Sequence, residues 1–215
     1  MEKTFLSIGA GPGIGLATVI RFAKEGYHPV LVCRTATKLA ALADEIHNST
    51  GLNAETIVFD AANMAQMAAL GQRIAERVVV LHYNAAIVHA ESLEAATLDS
   101  LEMDIRVGVS GALAAIKTFA PAMIRRGRGS ILLTGGMLAQ NPHPDYLTLG
   151  VAKAGIRNMA HALFGELASK NVHIACVNVT RAVGPRSQEA STVAEVFWRL
   201  HNQPQGQWTC EENDV

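Results

Sequence analysis

Charge of one sign is missing from this chain: 18 lysines and arginines stand against 19 aspartates and glutamates, and neither sign gathers into a block. That removes any electrostatic case for nucleic acid or an acidic membrane surface as a partner. Cysteine is scarce as well. Cys33, Cys176 and Cys210 lie far apart, two of them inside apolar runs, and they form neither a disulfide framework nor a zinc ligand set. They read as reduced thiols of an intracellular protein. No unbroken apolar stretch reaches the roughly 18 residues needed to span a bilayer. The N-terminal MEKTFLSIGAG has one basic residue and a short apolar run that ends in glycines, the wrong form for a signal peptide. A soluble, cytoplasmic protein is expected. No composition break or low-complexity linker divides the chain, so residues 1–215 are expected to fold as a single domain.

What is present is a βα repeat. Apolar runs of strand length, TFLSI at 4–8, PVLVC at 29–33, ETIVF at 55–59, VVVLH at 78–82, SILLT at 130–134 and VHIACV at 172–177, alternate with segments of helical period. Their apolar residues are consecutive rather than alternating, which requires cover on both sheet faces. The expectation is an α/β fold: a mostly parallel sheet between two layers of helices. Two helical segments, about 98–125 and 146–170, are longer than one sheet crossing requires. Their small residues suit packing on the sheet on one side and on a second subunit on the other, which predicts a homodimer or homotetramer; simple surface helices are the alternative.

The first strand runs straight into IGAGPGIGLATVIRFAKEG. Gly9, Gly11, Gly13 and Gly15, with Ile14 among them, lie where a strand turns sharply into a helix, and missing Cβ atoms let a pyrophosphate approach the N–H groups of the helix start. The strand before and the amphipathic helix after turn a weak glycine pattern into a dinucleotide site. The second strand ends in CRT without an acidic residue for a ribose 2′-hydroxyl, whereas Arg34 can pair with a 2′-phosphate. NADP (NADPH) is therefore expected over NAD, the alternative for Arg34 being a solvated residue at a helix start. Asp60, followed by Ala61 in FDAAN, ends the third strand and can hold the adenine amino group or serve as a helix N-cap.

The glycine loop, FDAAN at 59–63, YNAA at 83–86, GRGSILL at 127–133 and LGVAKAG at 149–155 together resemble the short-chain dehydrogenase/reductase family, over nearly the whole chain to about residue 178. The resemblance implies a Rossmann-like doubly wound sheet in a three-layer α/β/α arrangement, and hydride transfer between nicotinamide C4 and a carbonyl or alcohol carbon. It places Asn84, Ala85 and Ala86 beside the cofactor and Lys153 at the lysine that holds the nicotinamide ribose. The family's tyrosine falls at Leu149, its serine at Gly136 and its asparagine at Gly108. With NQPQGQW at 202–208 and ILLTGGMLAQNPHP, these gaps resemble an atypical branch lacking the three side chains.

Substitute acids can be named. Tyr146 shares a helical face with Lys153 but lies seven residues, roughly 10 Å of rise, before it. His143 sits between two prolines in the same loop, and Thr134 offers a hydroxyl. The substrate region after about residue 179 is short, with Ser191 the expected cap of a last helix whose Phe197 and Trp198, like Trp208 beyond it, are read as packing residues. The functional expectation is an NADP(H)-dependent oxidoreductase with non-standard proton transfer on an unidentified small molecule. The alternative is a catalytically degenerate NADP(H)-binding protein with a sensor or regulatory role.

Overall fold

The computed structural model describes residues 3–214. Seven parallel strands, β1 (Thr4–Ile8), β2 (His28–Cys33), β3 (Glu55–Val58), β4 (Val78–Tyr83), β5 (Gly129–Thr134), β6 (Val172–Asn178) and β7 (Glu211–Asn213), form one sheet in the order β3-β2-β1-β4-β5-β6-β7. The first six match the apolar runs; β7 was not foreseen. Side chains alternate across the pleat, so each apolar run feeds two cores.

On one face Phe5, Leu31, Val80, Leu132 and Val177 pack with α1 (Ile14–Ala23), α2 (Ala36–Thr50) and α7 (Gln188–His201) through Phe22, Leu42 and Phe197. On the other face Leu6, Val32, Leu81, Leu133 and Ile174 meet α3 (Met64–Ile74), α5 (Gly111–Arg126) and α6 (Leu147–Ala168) through Met67, Phe119 and Ile156. Each large side chain so buried stabilises the fold by about 1.5–3 kcal/mol. The architecture is the doubly wound, three-layer α/β/α arrangement in a single domain.

The helix expected at 98–125 is interrupted. α4 (Leu98–Ile105) passes through a π-helical segment at Arg106–Ser110 before α5 begins. The Tyr83 hydroxyl donates to the Val107 carbonyl inside that segment, giving a displaced backbone group a partner. The whole run Leu98–Arg126 is long and apolar enough to cross a membrane, and more than half of its most apolar stretch is buried inside the fold. The cap of α7 is Ser187, whose side chain accepts from the Ala190 N–H at 3.2 Å, rather than Ser191. Strand order reverses between β1 and β4, both paired in register at Ile8 and Tyr83, and a crevice opens beyond their C-terminal ends.

Candidate functional site

The chain leaves β1 at Gly9, whose φ of +86° suits glycine and strains any other residue. A Cβ here would lie 2.4 Å from the backbone of Ala85, so the loop after β4 closes on the turn only because that atom is missing. Gly11, Gly13, Ile14 and Gly15 then carry the chain into α1, whose first turn has no acidic residue. Its unbonded N–H groups present partial positive charge to the crevice. Together with Asp60, Ala61, Asn84, Ala85 and Ala86, these residues line one cavity of about 390 Å³.

Arg34, just past β2, lines the same cavity, is exposed, and has no carboxylate partner among the described residues. Lys38, four residues on, adds a second cation that the sequence reading missed, although CRTATK carries both. Asp60 is not the helix cap: Asn63 caps α3 by accepting from the Gln66 N–H at 3.0 Å, while the Asp60 carboxylate accepts from the Ala62 N–H at 3.0 Å. Val183 reaches the cavity from the segment after β6, which is pinned to the glycine loop where the Arg186 N–H donates to the Pro12 carbonyl at 2.8 Å.

Thr134 and Lys153 belong to the same lining. The Lys153 ammonium donates to the Thr134 carbonyl at 2.8 Å, supplying the partner that a cation near a helix N-terminus needs. Burial pushes its pKa down to about 8, with the neighbouring Cys176 working in the opposite direction. The Thr134 hydroxyl donates to Asn84 Oδ1 at 3.0 Å and meets His82 Nε2 at 3.1 Å, and Asn84 Nδ2 donates to the Gly9 carbonyl at 3.0 Å. His82 was not singled out from the sequence; its only signal was a polar residue inside the apolar run VVVLHY.

His143 and Tyr146 are not brought to this cleft. They line a separate depression of about 490 Å³ with Leu138, Leu147 and Val151. A 3₁₀ turn over Pro144–Tyr146 leads into α6 with Tyr146 at its N-cap, and His143 Nδ1 accepts from the Asp145 N–H at 3.2 Å. Of the four proton-transfer candidates, the fold unites Lys153 and Thr134 with the cofactor set and leaves the other two outside it. At the remaining positions, Leu149 is buried, a Cβ on Gly136 would lie 3.4 Å from Lys153 Cγ, and one on Gly108 would lie 2.5 Å from Ala152 Cβ.

A second polar set occupies the opposite, N-terminal edge of the sheet. Tyr27, just before β2, meets His201 Nε2 at 2.6 Å, and Ser130, at the start of β5, meets His201 Nδ1 at 2.8 Å. Burial, with smaller contributions from His173 and Lys3, holds His201 down at about 4, so the ring is neutral and bridges one donor and one acceptor. Ser130 precedes Thr134 by four strand residues, about 13 Å, and the set lines its own cavity of about 330 Å³.

The family described as short chain dehydrogenase matches residues 3–191. A probable galactose dehydrogenase of Rhizobium meliloti (strain 1021) is 30% identical over 202 residues, 93% of this chain and 79% of that protein. A very-long-chain 3-oxoacyl-CoA reductase of Coccidioides immitis (strain RS) is 30% identical over 178 residues, 80% of this chain and 51% of that protein, so the chain spans about half of its length. A solved metagenomic short-chain oxidoreductase in complex with NADP has a TM-score of 0.88 and 25% identity, covering 98% of this chain and 96% of that one. The expectation of an atypical branch lacking tyrosine, serine and asparagine is corrected by this match to the family at large and by the Tyr27–His201–Ser130 network, which joins a tyrosine and a serine in one hydrogen-bonded set.

Proposed function

The chain belongs to the short-chain dehydrogenase family, and from that premise we propose that it is an NADP(H)-dependent oxidoreductase acting on a carbonyl or alcohol of a small molecule. The observation that carries the reading is the convergence of the glycine turn, Arg34 and Lys153 on one cleft at the strand-order reversal. The nicotinamide of the cofactor, when bound, supplies or accepts the hydride. The protein's own groups divide the remaining work. Backbone N–H groups around Gly11, Gly13 and Ile14 bind the pyrophosphate, and the missing Cβ at Gly9 keeps that turn tight. Arg34 and Lys38 bind the 2′-phosphate, and Asp60 with its neighbouring backbone holds the adenine amino group.

Lys153 spends one proton on the Thr134 carbonyl and keeps two for ribose or substrate oxygens. With a pKa near 8 it can hold or release a proton at physiological pH. The Thr134 hydroxyl proton is committed to Asn84, so that hydroxyl faces a substrate as an acceptor only. Ile87, Val88 and Val107 supply an apolar part of the cleft's lining. The NADP-bound relative supports the choice of cofactor. The composition and three reduced cysteines support a cytoplasmic setting, and the short segment from about 179 supports an open substrate side.

Titration of the purified protein with NADPH and NADH tests the reading. NADPH is expected to bind tenfold or more tightly, and Arg34→Ala to remove most of the difference by deleting a charge-assisted bond of about 1.5–3 kcal/mol. Equal affinities in the parent protein would reject the NADP assignment.

A further inference from the structure

His82 is fully buried at the C-terminal end of β4, on the sheet face covered by α1 and α7, with the Phe197 ring 4.8 Å away. A histidine so placed has to spend both ring nitrogens within the protein. Nδ1 meets the hydroxyl of Ser7, its register partner on β1, at 3.3 Å, and Nε2 meets the hydroxyl of Thr134 on β5 at 3.1 Å. Hydrogen accounting fixes the direction of the chain. The Thr134 hydroxyl has one proton and gives it to Asn84 Oδ1, so it can only accept from His82. His82 therefore carries its proton on Nε2, and Nδ1 accepts from Ser7. Burial, then the Lys153 charge, pushes the His82 pKa down to about 3, which keeps the ring in this single-proton form.

The consequence reaches the cleft through Thr134. Its hydroxyl orients the Asn84 carboxamide, whose Nδ2 donates to the Gly9 carbonyl, while its own carbonyl receives the Lys153 ammonium. Gly9 is held from the other side by its N–H, which donates to Val32 at 2.9 Å. Two groups of fixed sense hold the Asn84 carboxamide: the Gly9 carbonyl, which can only accept from Nδ2, and the Thr134 hydroxyl, which keeps its proton on Oδ1 because His82 donates to its oxygen.

We propose that His82 is a positioning residue for the cofactor cleft: through the Thr134 hydroxyl it locks Asn84 against the Gly9 carbonyl and so sets the shape of the turn that receives the pyrophosphate. The inference rests on the reading of this cleft as an NADP(H) site. It deepens that reading by adding a buried side chain that touches neither cofactor nor substrate.

The test uses the full chain and NADPH itself, read by fluorescence titration beside a melting curve. His82→Leu should weaken NADPH about three- to tenfold, the worth of one lost hydrogen-bond relay. His82→Gln, whose amide N–H stands where Nε2–H stood, should recover most of the affinity, whereas His82→Asn, which reaches only toward Ser7, should not. Should His82→Leu fold poorly, His82→Gln against His82→Asn carries the test, since both keep a polar side chain in the buried site and only the glutamine keeps the bond to Thr134. In a folded background, adding Thr134→Val to His82→Leu should cost little more than either change alone. A purely structural histidine would lower the melting temperature in all three His82 variants and leave NADPH affinity within twofold of the parent, which would overturn the inference. So would equal affinities for the Gln and Asn variants. If the parent protein binds no NADPH, the cofactor reading fails first, and that result is distinct from either of these.

Discussion

The Lys153 ammonium and the Thr134 backbone carbonyl are 2.8 Å apart, and this bond ties the start of α6 to the end of β5 at the floor of the cleft. Because burial lowers the lysine from 10.5 to about 8, two opposite pH trends follow. Above about pH 8 the folded protein loses the Lys153 proton, so NADPH affinity should fall as pH rises through that value. Between about 8 and 10.5 the unfolded chain binds more protons than the folded one, so this group's contribution makes stability rise with pH over the same window. Lys153→Met should lower NADPH affinity roughly tenfold or more, as loss of a charged hydrogen bond predicts, and should flatten the affinity profile. A Lys153→Met protein whose affinity still falls through pH 8 would assign the titration to another group.

Tyr146 supplies a second test, because its ring lies in a depression that shares no lining residue with the cleft. Tyr146→Phe removes the hydroxyl at nearly constant volume and is expected to change turnover less than twofold. A loss of roughly a hundredfold in the chemical step, with cofactor affinity intact, would instead make the phenol an acid in the reaction.

The Tyr27–His201–Ser130 network gives a third. It links the approach to β2, the end of α7 and the start of β5 through one neutral histidine. Tyr27→Phe is expected to lower unfolding free energy by about 1 kcal/mol, read from a denaturant midpoint at unchanged slope, and to leave NADPH affinity as it was. Weakened NADPH binding by the variant would connect the two ends of the sheet.

The inner strands were legible in the sequence because TFLSI and its equivalents are covered on both faces and therefore run as near-continuous apolar stretches. The same logic hid β7. Its three residues, Glu211–Asn213, carry no apolar signal and are fixed by charge, with Glu211 bound by Arg157 at 2.7 Å and Glu212 by Arg199. The glycine turn could be read because strand, turn and helix follow one another in the chain. The His82 relay could not, since its partners lie 75 and 52 residues away and only the β1-β4-β5 register brings them together. Ser187 and Ser191 are equally good capping residues by type, and the choice falls to the backbone, which is extended at Ser187. Tyr146 stays away from Lys153 because seven residues rise roughly 10 Å and because α6 begins only after it, with Tyr146 at the N-cap.

The last prediction concerns assembly. Leu113 on α5 and Val151 on α6 are 52% and 49% exposed, and Met103 on α4 and Leu147 at the start of α6 are similarly uncovered. Large apolar side chains left in water on both α5 and α6 are what a helix-mediated partner would cover. We propose a homodimer or homotetramer formed through α5 and α6, as the lengths of these helices suggest. In that arrangement both residues leave water at an interface whose core is apolar and poor in charge. Placing a lysine at either position should then bury an unpaired ammonium and separate the subunits, whereas on an open surface the same change would be nearly neutral. Sedimentation of the parent protein should give a multiple of the chain mass, and Leu113→Lys with Val151→Lys should shift it to the single chain while far-ultraviolet circular dichroism stays unchanged. A parent protein that sediments as one chain across micromolar concentrations would remove the proposal, and an oligomer unaffected by both lysines would move the interface to another face.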